Sequence, residues 1–137
     1  MAEVMADLVS ETSETTGTGA YNLEGLSPRG VFTFLDSVGA GNTCRYCATF
    51  GSDAEIGIGT VTTGTPPTLS RDTILKSTNS DAAVDWGAGE KTIDLVANAA
   101  LLSALLDVGS MANRDLTIST DEPSGGENGD VWYVVEA

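Results

Sequence analysis

The chain has 137 residues, with 20 acidic and 6 basic side chains, no histidine and a formal charge of −14. That balance excludes a nucleic-acid partner, which needs a basic patch, and the lack of histidine excludes Ser-His-Asp catalysis and the usual zinc hydrolase sites. The 16 glycines, with abundant Ser and Thr, favour strands and turns around a single core.

In chain order, Val4 to Val9 is apolar enough to lie along a partner or a neighbouring strand, and the polar stretch that follows to Thr18 reads as an arm. Residues 1–19 are therefore expected as an N-terminal arm that neighbouring protein must hold in order. Strands are predicted at Ala20 to Leu23, Gly30 to Leu35, Thr43 to Phe50, Glu55 to Thr62, Thr68 to Ser77, Ala83 to Trp86 and Lys91 to Val96. Each is bounded by Gly, Pro, Asn or Asp, so residues 20–97 read as an all-β sandwich or small barrel.

Near Asp94 the period changes to that of a helix, with Asp94 as N-cap and Gly109 as its end. Leu101, Leu102, Leu105 and Leu106 give it a nearly uncharged surface suited to a subunit interface. Asp115 to Thr120 and Val131 to Val135 then read as a C-terminal hairpin, so that residues 98–137 form a helix-and-hairpin appendage. No apolar window approaches a membrane span, and the segment Met1 to Asp7 lacks the pattern of a signal peptide, so no membrane partner is expected.

The residue types that carry chemistry are sparse. Cys44 and Cys47 lie three apart on a predicted strand, facing opposite sides, and read as two reduced thiols with no zinc site to join. The four G-x-G triplets lack the rest of a nucleotide fingerprint and read as bulges and turns. Ser10, Ser70 and Ser103 lack a nucleophile-elbow setting. Two acidic groups, one formed by Asp121, Glu122, Glu127, Asn128 and Asp130 and the other by Asp81 with Asp85, lack calcium-loop spacing. Arg71, one of so few bases, reads as a structural ion-pair partner, with an intersubunit pair as the alternative. No cofactor, no metal and no enzymatic activity are expected.

Two stretches carry a resemblance. Asp7-Leu8-Val9-Ser10-Glu11-Thr12, Thr15-Thr16-Gly17-Thr18-Gly19, Ile56-Gly57-Ile58-Gly59-Thr60-Val61, Leu69-Ser70-Arg71-Asp72-Thr73-Ile74-Leu75, Ala83-Val84-Asp85-Trp86 and Gly89-Glu90-Lys91-Thr92 follow one another across residues 7–93. Taken in that order they resemble a β-rich module of structural proteins in tailed bacteriophages. The run from Asp121 to Tyr133 resembles the Gly/Asp turn and aromatic strand near the ends of phage tail-fibre proteins.

The resemblance implies an oligomeric virion protein on the outer surface of the particle, made in the host cytoplasm. A short fibre, an adaptor or a capsid decoration protein would fit, and fibre and decoration proteins of this type are commonly trimers. The expected interface residues are Val4, Met5 and Leu8 toward the particle or a neighbour, Leu101, Leu102, Leu105 and Leu106 between subunits, and Trp132 and Tyr133 toward a second virion partner. Two other readings compete. A receptor- or carbohydrate-binding module would stack sugars on Trp132 and Tyr133. A polysaccharide depolymerase would need an acid pair in a groove.

Overall fold

The computed structural model describes residues 2–99, 101–103, 116–119 and 131–134, the last two segments as backbone. The chain divides into two units, Met1–Asn98 and Ala99–Ala137. The first is built on one antiparallel sheet of seven strands, curled into a half-barrel. Its elements are β1 (Ser10–Ser13), β2 (Tyr21–Asn22), a one-turn helix α1 (Phe34–Ser37), β3 (Thr43–Phe50), β4 (Asp53–Thr62), β5 (Thr68–Leu69), β6 (Thr73–Ser77) and β7 (Lys91–Leu95). Across the sheet the order is β1-β7-β3-β4-β5-β2, and β6 shares the outer edge of β4 with β5.

The central hairpin β3–β4 has strict alternation. Cys44, Tyr46 and Ala48 of β3 and Glu55, Gly57, Gly59 and Val61 of β4 line the buried face, because successive side chains of a strand point to opposite sides. The two glycines leave room. A Cβ on Gly57 would stand 2.5 Å from the Tyr46 hydroxyl and 2.7 Å from the Thr73 carbonyl, and one on Gly59 would collide with the Ser70 carbonyl. The Gly57-Ile58-Gly59 triplet therefore lets a tyrosine lie across one strand while the next segment closes against it. Around it pack Val9, Tyr21, Leu23, Phe34, Leu69, Val84, Trp86 and Ile93.

The predicted strand from Thr68 to Ser77 is two strands. Between them Ser70 and Asp72 bond back to Thr60: the Thr60 N–H donates to Ser70 Oγ at 2.8 Å and the Thr60 hydroxyl to Asp72 at 2.7 Å. This irregularity turns Arg71 into the core, where its side chain is 3% exposed. A second correction concerns Gly30 to Leu35, predicted as a strand. Thr33 caps α1 instead, accepting from the Asp36 N–H at 3.1 Å while its hydroxyl donates to the Asp36 carboxylate at 2.7 Å. That is the Thr-x-x-acid capping pattern, present in the sequence as Thr33-Phe34-Leu35-Asp36. Ala83 to Trp86 also forms no strand; Trp86 makes a single antiparallel bridge to Gly17.

The expected arm is part of the sheet. Within residues 1–19, β1 pairs with β7, with Ser10 opposite Asp94 and Ser13 opposite Lys91. Upstream of it the Val4 N–H donates to the Thr43 carbonyl at 2.8 Å and the Thr43 N–H to the Ala2 carbonyl at 2.8 Å. Order in this polar segment comes from backbone bonds within the chain. Residues 24–32 then run back along the outer side of β1, with bonds from Thr12 N–H to Gly25 O and from Ser27 N–H to Ser10 O. The approach is so close that a Cβ on Gly30 would strike the Ser10 carbonyl.

Asp94 is not a helix N-cap; it lies within β7. Helical backbone is described at residue 99 and at 101–103, and the remainder of the predicted helix lies outside the described residues. In the second unit, β8 (Leu116–Ser119) and β9 (Val131–Val134) occur where strands are predicted, but they pair in parallel, Leu116 opposite Val131. A tight turn joins antiparallel neighbours only. The two parallel strands are therefore not a hairpin.

Candidate functional site

Polar groups converge most densely inside the half-barrel. Glu55 Oε1 accepts from the Tyr46 hydroxyl at 2.7 Å, the Arg71 Nε at 2.8 Å and the Tyr21 hydroxyl at 3.0 Å. Its Oε2 accepts from Arg71 Nη2 and from the Val84 N–H at 2.8 Å. Arg71 also donates to the Val84 carbonyl at 2.8 Å and the Gly17 carbonyl at 3.3 Å, and its guanidinium carbon stands 5.2 Å from the centre of the Tyr21 ring. Trp86 Nε1 donates to the Tyr21 hydroxyl at 2.9 Å.

The electrostatics follow from this arrangement. Burial pushes the Glu55 carboxyl up, but Arg71, the Tyr46 hydroxyl and the Val84 N–H outweigh it and hold the group below its ordinary value. Tyr21 and Tyr46 are raised, first by burial and further by the Glu55 charge. The cluster is closed: the Glu55 side chain has no exposed surface. No buried side-chain nitrogen or oxygen among the described residues lacks a partner. Through these bonds the cluster ties β4 to the Arg71 segment and to the Gly17 and Val84 loops.

A second polar group lies at the surface beside β1. Ser10 Oγ donates to Asp94 Oδ1 at 2.5 Å and shares a hydrogen bond with Ser27 Oγ at 2.6 Å, while Arg29 Nη2 donates to Asp94 Oδ2 at 2.8 Å. Ser10, Arg29 and Asp94, with Leu8, Val9 and Leu95, line an open cleft of about 240 Å³. Asp94 thus accepts from the Ser10 hydroxyl on one oxygen and pairs its charge with Arg29 on the other. No three His, Cys, Asp or Glu among the described residues are placed to hold a metal ion. Asp81, half of one acidic pair, is engaged by Lys76 at 3.0 Å and by the Ser77 N–H at 3.1 Å. The acidic group from Asp121 to Asp130 lies outside the described residues.

Cys44 and Cys47 are free thiols on opposite faces of β3, Cys44 buried and Cys47 half-buried. Burial, with Glu3 nearby, pushes the Cys44 thiol up to about 12. Burial raises Cys47 as well. Neither thiol is activated toward chemistry.

The residues expected at interfaces are placed as follows. Val4 is half-buried against the core, whereas Met5 is 43% and Leu8 63% exposed. Leu101 is half-buried and Leu102 is 51% exposed. Leu105 and Leu106 lie outside the described residues, and Trp132 and Tyr133 stand in β9, described as backbone. Sequence reasoning missed Leu26, Val31 and Phe32, which are 49%, 54% and 51% exposed on the segment 24–32. Reading Gly30 to Leu35 as a strand assigned half of its side chains to the core. The Thr33 capping signal was the clue that the segment before it is loop.

Comparison of the chain with protein-family models, with curated proteins and with solved structures finds no match in any of the three. Among the described residues no helix is long and apolar enough to cross a membrane.

Proposed function

We propose that this chain is a non-enzymatic structural component of a tailed-bacteriophage virion, an oligomeric surface protein of the short-fibre, adaptor or decoration type that acts through protein–protein interfaces. One observation carries the reading. The densest convergence of charged and aromatic groups is sealed inside the half-barrel, whereas large apolar side chains at Leu8, Leu26, Val31 and Phe32 are open to solvent. An enzyme places its perturbed polar groups in a cleft and its apolar groups behind them. Here the arrangement is reversed, as in a scaffold that presents a surface.

The resemblance of residues 7–93 supports the phage setting, and the buried cluster gives it a physical meaning. Gly17, Arg71, Val84 and Trp86 come from three of the resembling segments and are joined by hydrogen bonds around one guanidinium. The shared pattern is then the pattern of a folding unit that different virion proteins can reuse. A trimer is the proposed assembly, on the outer surface of the particle, in contact with other capsid or tail proteins.

Protein mass spectrometry on virions purified through a density gradient tests this reading. The chain should be found in a fixed copy number that is a multiple of three. Its absence from intact particles would remove the assignment. Release of reducing ends from host polysaccharide, or saturable binding on a glycan array, would favour the depolymerase or the carbohydrate-binding reading instead.

A further inference from the structure

We infer that residues 2–7 are an exchangeable arm, which in the assembled protein leaves its seat on β3 of its own chain and takes the identical seat on a second copy. The inference rests on the oligomeric reading above and gives that assembly its contact. The seat is the start of β3, where Glu3 pairs in parallel with Thr43; β7 pairs with β3 only from Tyr46 to Thr49. There the Val4 N–H donates to the Thr43 carbonyl and the Thr43 N–H to the Ala2 carbonyl, both at 2.8 Å. The Ala2 N–H donates to Asn42 Oδ1 at 3.1 Å, Arg45 pairs with Glu3, and Val4 and Ala6 pack against the core. The occupant shaped for this seat is the arm itself, so the partner that can fill it in its place is the same segment of another copy.

The hinge favours exchange. Leu8, which joins the arm to β1, is held at φ 60°, a left-handed conformation disfavoured for a leucine. Rotation about that φ swings residues 2–7 and leaves the Leu8 carbonyl in place, still accepting from the Val31 N–H at 2.9 Å and the Phe32 N–H at 3.2 Å. Among the described residues no backbone hydrogen bond holds Met5, Ala6 or Asp7. An arm passed to a neighbour therefore makes the bonds it made at home while Leu8 relaxes to a negative φ. Because no new surface has to be complementary, such swapping is a low-cost route to association, even for chains that each carry a net charge of −14. Handed in one direction from copy to copy, the arm makes a head-to-tail contact, and such contacts close into rings such as a trimer. An extended chain from Leu8 to Glu3 spans about 17 Å, which sets how near the neighbouring seat lies.

Cross-linking tests the exchange. In the full chain with Cys44→Ala and Cys47→Ser, one preparation carries Glu3→Cys and another Thr43→Cys; the two are unfolded together, refolded as a mixture and oxidised. Since these two positions are paired, a disulfide between the preparations, mapped by peptide mass, should form in the oligomeric fractions as the arm of one chain seats on β3 of the other. A third chain carries both cysteines. If it closes disulfides only within itself while sedimenting as an oligomer, the exchange is refuted and the oligomeric reading stands. If it forms none, arm and seat do not pair, and the inference falls as well. A wild type monomeric at every concentration would refute both. The hinge gives a second arm by sedimentation. Leu8→Gly accepts φ 60° freely and should raise the dissociation constant of the assembly by roughly 5–30-fold, whereas Leu8→Pro excludes that φ and should lower it. A dissociation constant unmoved by either variant would overturn the inference.

Discussion

Arg71 and Glu55 form a two-pronged ion pair in the core of the half-barrel, with 3% and 0% of their side chains exposed. The pair joins the irregular segment between β5 and β6 to the buried face of β4. Through Gly17 and Val84 it also fastens two loops that have no strand pairing of comparable length. Removing one partner leaves the other charge buried without compensation, which is far costlier than replacing both.

Arg71→Ala should therefore destabilise the first unit by about 3–5 kcal/mol, and Arg71→Lys should recover only part of the loss because an ammonium cannot span both carboxylate oxygens. The double variant Glu55→Gln with Arg71→Met should be more stable than Arg71→Ala alone. Urea unfolding followed by tryptophan fluorescence measures all three. Equal stability of Arg71→Ala and wild type would mean that the pair does not close in solution.

Two buried glutamates should give opposite pH dependence. Glu55 has its folded pKa depressed, so its contribution to stability is present above the unfolded pKa and is lost as pH falls through the lower folded value. Glu11 has its folded pKa raised, chiefly by burial, against the Phe34 N–H bond at 2.7 Å that favours its charge; nearby Asp36 raises it further. Its contribution is present below the unfolded pKa and is lost as pH rises through the folded value. Glu11→Gln keeps the acceptor for Phe34 and removes that loss. The stability of Glu11→Gln relative to wild type should climb as pH rises from about 4 toward neutrality, starting near the ordinary glutamate range. A difference that is flat with pH would show that Glu11 titrates as an exposed carboxyl.

Gly59→Ala should destabilise by about 1–3 kcal/mol or more, because the added methyl meets the Ser70 carbonyl and the backbone must move. Gly19→Ala is the control, since nothing lies within 4 Å of its Cβ position. Paired thermal melts should separate the two by several degrees. Similar melting temperatures would show that β4 and the Ser70 segment are not in contact.

The thiols should be inert. In the folded chain Cys44 should resist a thiol reagent until unfolding exposes it, because burial keeps it protonated. Cys47→Ser should change stability by no more than about 0.5 kcal/mol, as for a replacement away from the core. Thermal stability should be the same with and without reductant. A rise in stability on oxidation would reveal a disulfide that the opposed faces of β3 do not permit.

The sequence by itself determined the strands whose pattern is local. β3 lies where it was predicted, from Thr43 to Phe50, and β4 and β7 differ at their ends by one or two residues, since alternation and turn residues are read within a short window. It also indicated that the cysteines are free and that Arg71 is a structural ion-pair partner, because six bases among 20 acids leave an arginine with abundant partners. Which acid it meets was decided by tertiary structure. Glu55 stands at a buried position only because Gly57 and Gly59 let Tyr46 and the Ser70 segment close around it, a long-range fit that no local window contains. The same holds for residues 1–19, where the apolar run from Val4 to Val9 allowed a neighbouring strand but the polar Ser10 to Ser13 gave no sign of the pairing that makes it β1, and for Asp94, whose helix-cap chemistry yields to the register that sets it against Ser10 and Arg29. Local propensity is worth tenths of a kcal/mol to about 1 kcal/mol per residue, whereas burial and pairing act over the whole sheet, so wherever the two disagree the sheet prevails.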